Sequence, residues 1–170
     1  VLVNPLAAVA ENEARARAVA AVNRVIMPQV ALSLGNEQLV EFTKDDGGRV
    51  AAYNINTRLV NHVAAQAAQA VQAELTDAAD ASFRVPMGAL TGSSLLATRG
   101  PAIPVKMMPI GTVQLDVQQQ FQSEGINQTR HAVRLHATAT VRVILPFVSR
   151  EVQIVTDMPL SETVIVGPVP

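Results

Sequence analysis

Functional groups crowd most densely into Gly125-Ile126-Asn127-Gln128-Thr129-Arg130-His131. Amide, hydroxyl, guanidinium and imidazole groups gathered in one turn are what a rigid scaffold presents to a binding partner. Turn geometry accounts for some of them on its own: Gly125 and Asn127 tolerate left-handed backbone, and Thr129 opens the next strand. Arg130 and Arg134 add planar forks suited to carboxylates and other anions. Asn127-Gln128-Thr129 also spells the glycosylation acceptor pattern, which matters only in a secretory host. His131 and His136 differ in parity, so on a regular strand they point to opposite faces and do not share a metal without a bulge. His62 falls in a predicted helix and reads as a surface or hydrogen-bonded residue, because a metal needs several converging groups.

The inventory for catalysis is thin. Ser93 and Ser94, in Thr91-Gly92-Ser93-Ser94, lack a strand-turn-helix elbow and an identifiable base. The glycines at 88, 92 and 100 do not form a phosphate loop with its Lys-Ser/Thr ending. Asp45 with Asp46, and Asp77 with Asp80, are carboxylate pairs in a turn and at a helix end, where solvation is the ordinary reason for them. The expectation is a protein that is not an enzyme and carries no metal or cofactor. Its candidate binding residues are Thr91, Ser93, Lys106, Gly125, Asn127, Gln128, Thr129, Arg130, His131 and Arg134.

Two long runs of alternating polar and apolar residues flank the 123–127 turn and must position it. The first puts Val113, Leu115, Val117 and Phe121 on one parity, with Thr112, Gln114, Asp116, Gln118, Gln120 and Gln122 on the other. The second sets Val133, Leu135, Ala137, Ala139, Val141 and Val143 against Arg130, Arg134, His136, Thr138, Thr140 and Arg142. This period of two is that of half-buried strands, so 103–146 reads as a long hairpin with odd positions inward. If the apolar faces coincide, Asp116 sits across from His136 or Arg134.

Upstream, an Ala-rich helix is predicted from Leu6 to about Val25, facing inward through Ala18, Val19, Val22, Val25 and Ile26. Pro28 ends or kinks it, and Glu11 and Glu13 lie early enough to suit its dipole. Asp45-Asp46-Gly47-Gly48 predicts a hairpin turn between strands at 39–44 and 49–55. Asn56 or Thr57 caps a second helix running to about Ala79, with Val60, Val63, Ala67, Ala70 and Val71 on its inner face. The Gly- and Pro-punctuated 82–109 stretch reads as loop and edge strand. Strands at 150–157 and 163–166 close the chain. The fold class predicted is α+β: an antiparallel sheet built on a long hairpin and packed against two Ala-rich helices.

At 170 residues one domain is expected, with 49% hydrophobic residues to fill its core but only 3% aromatic ones. A net charge of −1 offers no bulk field for nucleic acid. The lack of cysteine removes disulfides, thiolate nucleophiles and the commonest zinc sites. No apolar run approaches the roughly 18–20 residues that span a bilayer, so a soluble stretch is expected. Val1 at the start leaves room for a preceding anchor or signal.

Several ordered blocks resemble the YunB family of sporulation proteins of endospore-forming Firmicutes. They are Pro86-Met87-Gly88-Ala89-Leu90-Thr91-Gly92-Ser93 with Leu95-Leu96, and Gly100-Pro101-Ala102-Ile103-Pro104-Val105-Lys106 followed by Pro109 and Gly111. The 125–131 turn and Glu162-Thr163-Val164-Ile165-Val166-Gly167-Pro168-Val169-Pro170 complete them. The resemblance implies a sporulation protein held by an N-terminal membrane anchor, with the 1–170 domain on the outer side, between the mother-cell and forespore membranes. It supplies no catalytic residues. Three functions are compatible with the chain: a non-enzymatic scaffold that contacts sporulation membrane proteins or itself, a lipid-binding or lipid-transfer domain around an apolar cavity, and an envelope hydrolase.

Overall fold

The computed structural model describes residues 3–80 and 82–166. Its elements run α1 (Val3–Leu34), β1 (Val40–Lys44), β2 (Val50–Ile55), α2 (Thr57–Asp80), β3 (Phe83–Pro86), a short 3-10 helix (Met87–Thr91), β4 (Ala102–Ser123), β5 (Gln128–Ile144) and β6 (Ser149–Val166). Among the described residues β3, β4, β5 and β6 form one antiparallel sheet in that order, and β1 and β2 form a separate hairpin. The fold is α+β, with both helices laid on one face of the sheet and packed on each other.

The helices meet the sheet through rows of every fourth residue. On α1 these are Leu6, Ala10, Ala14, Ala18, Val22, Ile26 and Val30, and on α2 Leu59, Val63, Ala67, Val71 and Leu75, all buried. Such rows form ridges along a helix surface, and alanine at their centres lets the backbones approach the sheet closely. Of the inner face predicted for α1, Ala18, Val22 and Ile26 are buried while Val19 and Val25 are half-buried. Asn56 caps α2, its Oδ1 accepting from Leu59 N at 3.1 Å.

Three expectations for these elements are overturned. The first helix does not end at Pro28; it continues to Leu34 and stops at Gly35, whose φ of +54° closes the last turn. A proline there costs about 3 kcal/mol, and full burial of Ile26 and Val30 on either side, at about 1.5–3 kcal/mol each, offsets it. Because α1 already runs from Val3, Glu11 and Glu13 lie beyond its first turn and pair instead with Arg150 and Arg17. The two closing strands are one, β6. Leu160 is an extra residue opposite the Val133–Arg134 step, so the strand bulges and its inward parity switches without a break.

The central hairpin keeps its predicted alternation. Along β5, Val133, Leu135, Ala137, Ala139, Val141 and Val143 are buried against the helices, and Arg134 and Arg142 are exposed on the other face. β4 begins at Ala102, one residue before the predicted hairpin, so within the stretch read as loop and edge strand residues 102–109 form a strand that pairs with β3 and β5 despite Pro104 and Pro109. Two extra residues between Ile110 and Gln114 bulge β4 while preserving parity. Gln72 Oε1 of α2 accepts from Val113 N in that bulge at 3.2 Å. Gly167, Pro168, Val169 and Pro170 of the last family block lie outside the described residues. No helix among the described residues is long and apolar enough to cross a membrane.

Candidate functional site

The face of β4, β5 and β6 turned away from the helices carries cross-strand rows of polar groups. Asp116, His136 and Asp157 form one row, which fixes the register predicted from the apolar pattern. His136 Nδ1 lies 2.7 Å from Asp157 Oδ1. Gln118, Arg134 and Pro159 form the next row, and Gln122, Arg130 and Val164 another. Toward the other end Arg142 donates to Glu151 at 3.1 Å. Arg134 is exposed, and among the described residues it has no ion-pair partner.

The 123–127 turn is built as its residues dictate. Gly125 at φ +85° and Asn127 at φ +69° take the left-handed backbone that reverses the chain, and Glu124 N donates to Gln128 O at 2.9 Å. Gln128 and Thr129 begin β5 opposite Val166 and Ile165. Arg130 Nη2 sits 2.6 Å from Glu124, and its Nε 3.1 Å from Glu162 without the alignment of a hydrogen bond. The guanidinium is therefore already engaged by two carboxylates of this chain.

His131 does not join that surface. It points inward, is 1% exposed, and stacks on Phe121 with ring centroids 4.5 Å apart. Tyr53 lies 5.5 Å away and Phe42 stands edge-on at 6.0 Å. Phe42 and Tyr53 are a cross-strand pair of the β1–β2 hairpin, so His131 is the post on which that hairpin seats. Its Nε2 has no hydrogen-bond partner among the described residues, and burial lowers its pKa below the ordinary value of 6.5. Sequence reasoning missed this cluster. The available signal was the scarcity of aromatics combined with the matching hairpin positions of Phe42 and Tyr53.

Thr91, Ser93 and Lys106 stand at the opposite end of the sheet. Thr91 Oγ1 donates to Gly88 O at 2.8 Å and accepts from Ser93 N at 3.3 Å, so both residues shape their own loop. Lys106 is exposed, opposite Ile144. Counting along β4 at about 3.3 Å per residue puts Lys106 roughly 50 Å from the Arg130 row. The structure thus separates the candidate residues into two groups, with Arg134 between them on the open face. His62 is exposed and lines a cleft of about 330 Å³ with Ser33, Glu37, Arg58 and Leu59. No group of three or more His, Asp or Glu among the described residues is placed to hold a metal ion. What the arrangement offers chemically is multiple weak hydrogen bonding and charge pairing over a broad surface.

Comparison with known proteins accords with the sequence blocks. The family model for sporulation protein YunB matches residues 82–170. Sporulation protein YunB of Bacillus subtilis (strain 168) is 28% identical over 144 residues, covering 79% of this chain and 57% of that protein. The chain thus spans little more than half the length of this curated relative. No solved structure matches the chain. The family match takes in β3 to β6, the loop before β4 and the 123–127 turn, more than half of the sequence, and the chain belongs to the family of sporulation protein YunB.

Proposed function

We propose that this chain is a non-enzymatic interaction domain that acts at the envelope between mother cell and forespore, and that it binds another sporulation membrane protein, or a second copy of itself, through the open face of β4–β6. The observation that carries the reading is that face: three long strands whose outward side no helix covers among the described residues, furnished with Gln114, Gln118, Gln120 and Gln122 beside Arg134, which has no ion-pair partner among those residues. Such groups suit a partner that presents carboxylates and backbone amides. An extracytoplasmic position behind an N-terminal anchor belongs to the same reading.

Less supports the carrier reading. An acyl chain would need space between helices and sheet, where Ala14, Ala18, Val22, Val63, Ala67 and Val71 instead pack in one cluster with Leu135, Ala137 and Val141.

Site-specific photo-crosslinking in sporulating cells tests the proposal. A photoreactive residue at Gln118 or Thr138 is expected to capture a discrete protein partner, and one at Met27 on the outer side of α1 is not. Equal capture at all three positions, or none from the open face, would rule the proposal out.

A further inference from the structure

The loop between β3 and β4 has a chemistry of its own. Leu95 is 83% exposed and Leu96 is 46% exposed, side by side in the turn at 94–98. A loop that held these leucines loosely would fold them inward, but this one is braced at its base. Met87 N donates to Pro101 O at 3.0 Å and Gly88 N to Arg99 O at 2.8 Å, and the turn closes through Leu96 N to Ser93 O and Arg99 N to Leu96 O. Gly88 is the keystone. A Cβ added there would lie 1.8 Å from Leu96 O and 2.3 Å from Arg99 O. The exposed leucines are therefore held out by the backbone.

The charge around this tip is one-sided. Residues 81–115 contain Arg84, Arg99 and Lys106 and no carboxylate side chain. All three cations are exposed, and among the described residues none is in an ion pair. Of the carboxylates at this end, Glu11 is paired with Arg150, Glu13 with Arg17 and Glu151 with Arg142, while Asp77, which shares a cleft with Phe83 and Met107, is in no ion pair among the described residues. The β5–β6 turn, with exposed Phe147, leaves the sheet at this same end, beyond the Lys106–Ile144 pair. At the far end exposed Leu32 and Ile126 sit among charges of both signs that are acidic on balance: Glu37, Glu41, Asp45, Asp46, Glu124 and Glu162 against Lys44, Arg49, Arg58 and Arg130, with Asp45 paired to Arg49 and Glu124 to Arg130.

We propose that the 87–101 loop is a membrane-contact element: Leu95 and Leu96 enter the headgroup boundary of a bilayer, and Arg84, Arg99 and Lys106 hold anionic phospholipid headgroups around them. A protein anchor residue is typically seated in a recess among packed neighbours. Leu95 stands in a turn four residues before Arg99, in a stretch whose side-chain charges are all positive, a shape and charge that suit a deformable anionic surface. Lys106 stands at one end of the open sheet face, but Leu95, Leu96 and Arg99 lie on the loop beyond it, so the membrane contact and the partner surface can each fail alone.

Co-sedimentation of the chain with vesicles tests it. Phosphatidylcholine vesicles holding about one-third phosphatidylglycerol should bind the chain, pure phosphatidylcholine vesicles should not, and added salt should weaken binding. Leu95→Gln with Leu96→Gln, and separately Arg99→Gln with Lys106→Gln, should each lower binding about tenfold while the circular dichroism spectrum stays unchanged. Leu32→Gln, equally apolar and exposed at the acidic end, should bind as the unaltered chain does. Failure of the unaltered chain to bind the anionic vesicles, or undiminished binding by the Leu95/Leu96 variant, overturns the proposal. Loss of a protein contact in the loop variants with no vesicle binding by the parent would assign the loop to a protein partner instead.

Discussion

His131 shows most sharply what a single side chain contributes. A proton on its ring would be buried among Phe42, Tyr53 and Phe121, whereas in the unfolded chain it is hydrated. The unfolded state therefore binds that proton more readily, and folding stability drops with pH once it passes below the ordinary value of 6.5. Above 6.5 the stabilisation is fully present; the loss ends at the lower value of the folded state. Urea unfolding on either side of 6.5 should show this slope, and His131→Phe should flatten it. Gly88→Ala should destabilise by about 1–3 kcal/mol or displace its loop, because the Leu96 and Arg99 carbonyls occupy the space of the added methyl; the urea midpoint is again the readout. At this scale the sequence was informative about groups and silent about partners. Parity separated His131 from His136 correctly, and Phe121 is its cross-strand partner in the same hairpin, but Phe42 and Tyr53 come from a hairpin some eighty residues upstream, whose docking on His131 no local pattern dictates.

Elements were easier to read, since period and turn chemistry are local. The Asp45-Asp46-Gly47-Gly48 turn, the Asn56 cap and the alternation of β4 and β5 all follow from rules that act within a few residues. What escaped were the places where tertiary packing overrode a local signal: α1 passing through Pro28 and β6 absorbing a bulge at Leu160, whereas the hairpin read over 103–146 already carried β4 through Pro104 and Pro109. In each a proline or an extra residue weakens the element alone, and burial of its neighbours restores it. The alanine ridges are a second constraint of this scale. Ala67 is fully buried where α2 meets the sheet, so Ala67→Leu should cost about 1–3 kcal/mol through overpacking, measurable by chemical denaturation. Gln72→Ala would strip the Val113 amide of its acceptor in the β4 bulge, at about 1–3 kcal/mol.

In the whole molecule one layer of helices covers one side of a long sheet, and the consequence is asymmetry. The sheet's outer edge is protected where it runs beside α1: Arg15 Nη1 donates to Gln153 O of β6 at 2.8 Å, and Pro159 interrupts that strand's capacity to pair. Among the described residues its open face has no such cover. Of the candidate residues legible in the sequence, Arg130 and Arg134 lie toward one end of this face and Lys106 at the other, so reading them as one site would have joined groups that the sheet holds far apart. Family membership supplies the process, sporulation, and the exposed polar face supplies the surface through which the chain is expected to act. The most direct measurement is the yield of heat-resistant spores from cells whose copy of this protein carries Arg134→Glu with Thr138→Glu, both on the open face and outside the core. If that face binds the partner, the folded variant should lower spore yield about tenfold or more, since losing an interface arginine costs about 2 kcal/mol or more. Full spore yield from a variant that unfolds at the parent's urea midpoint would contradict the account.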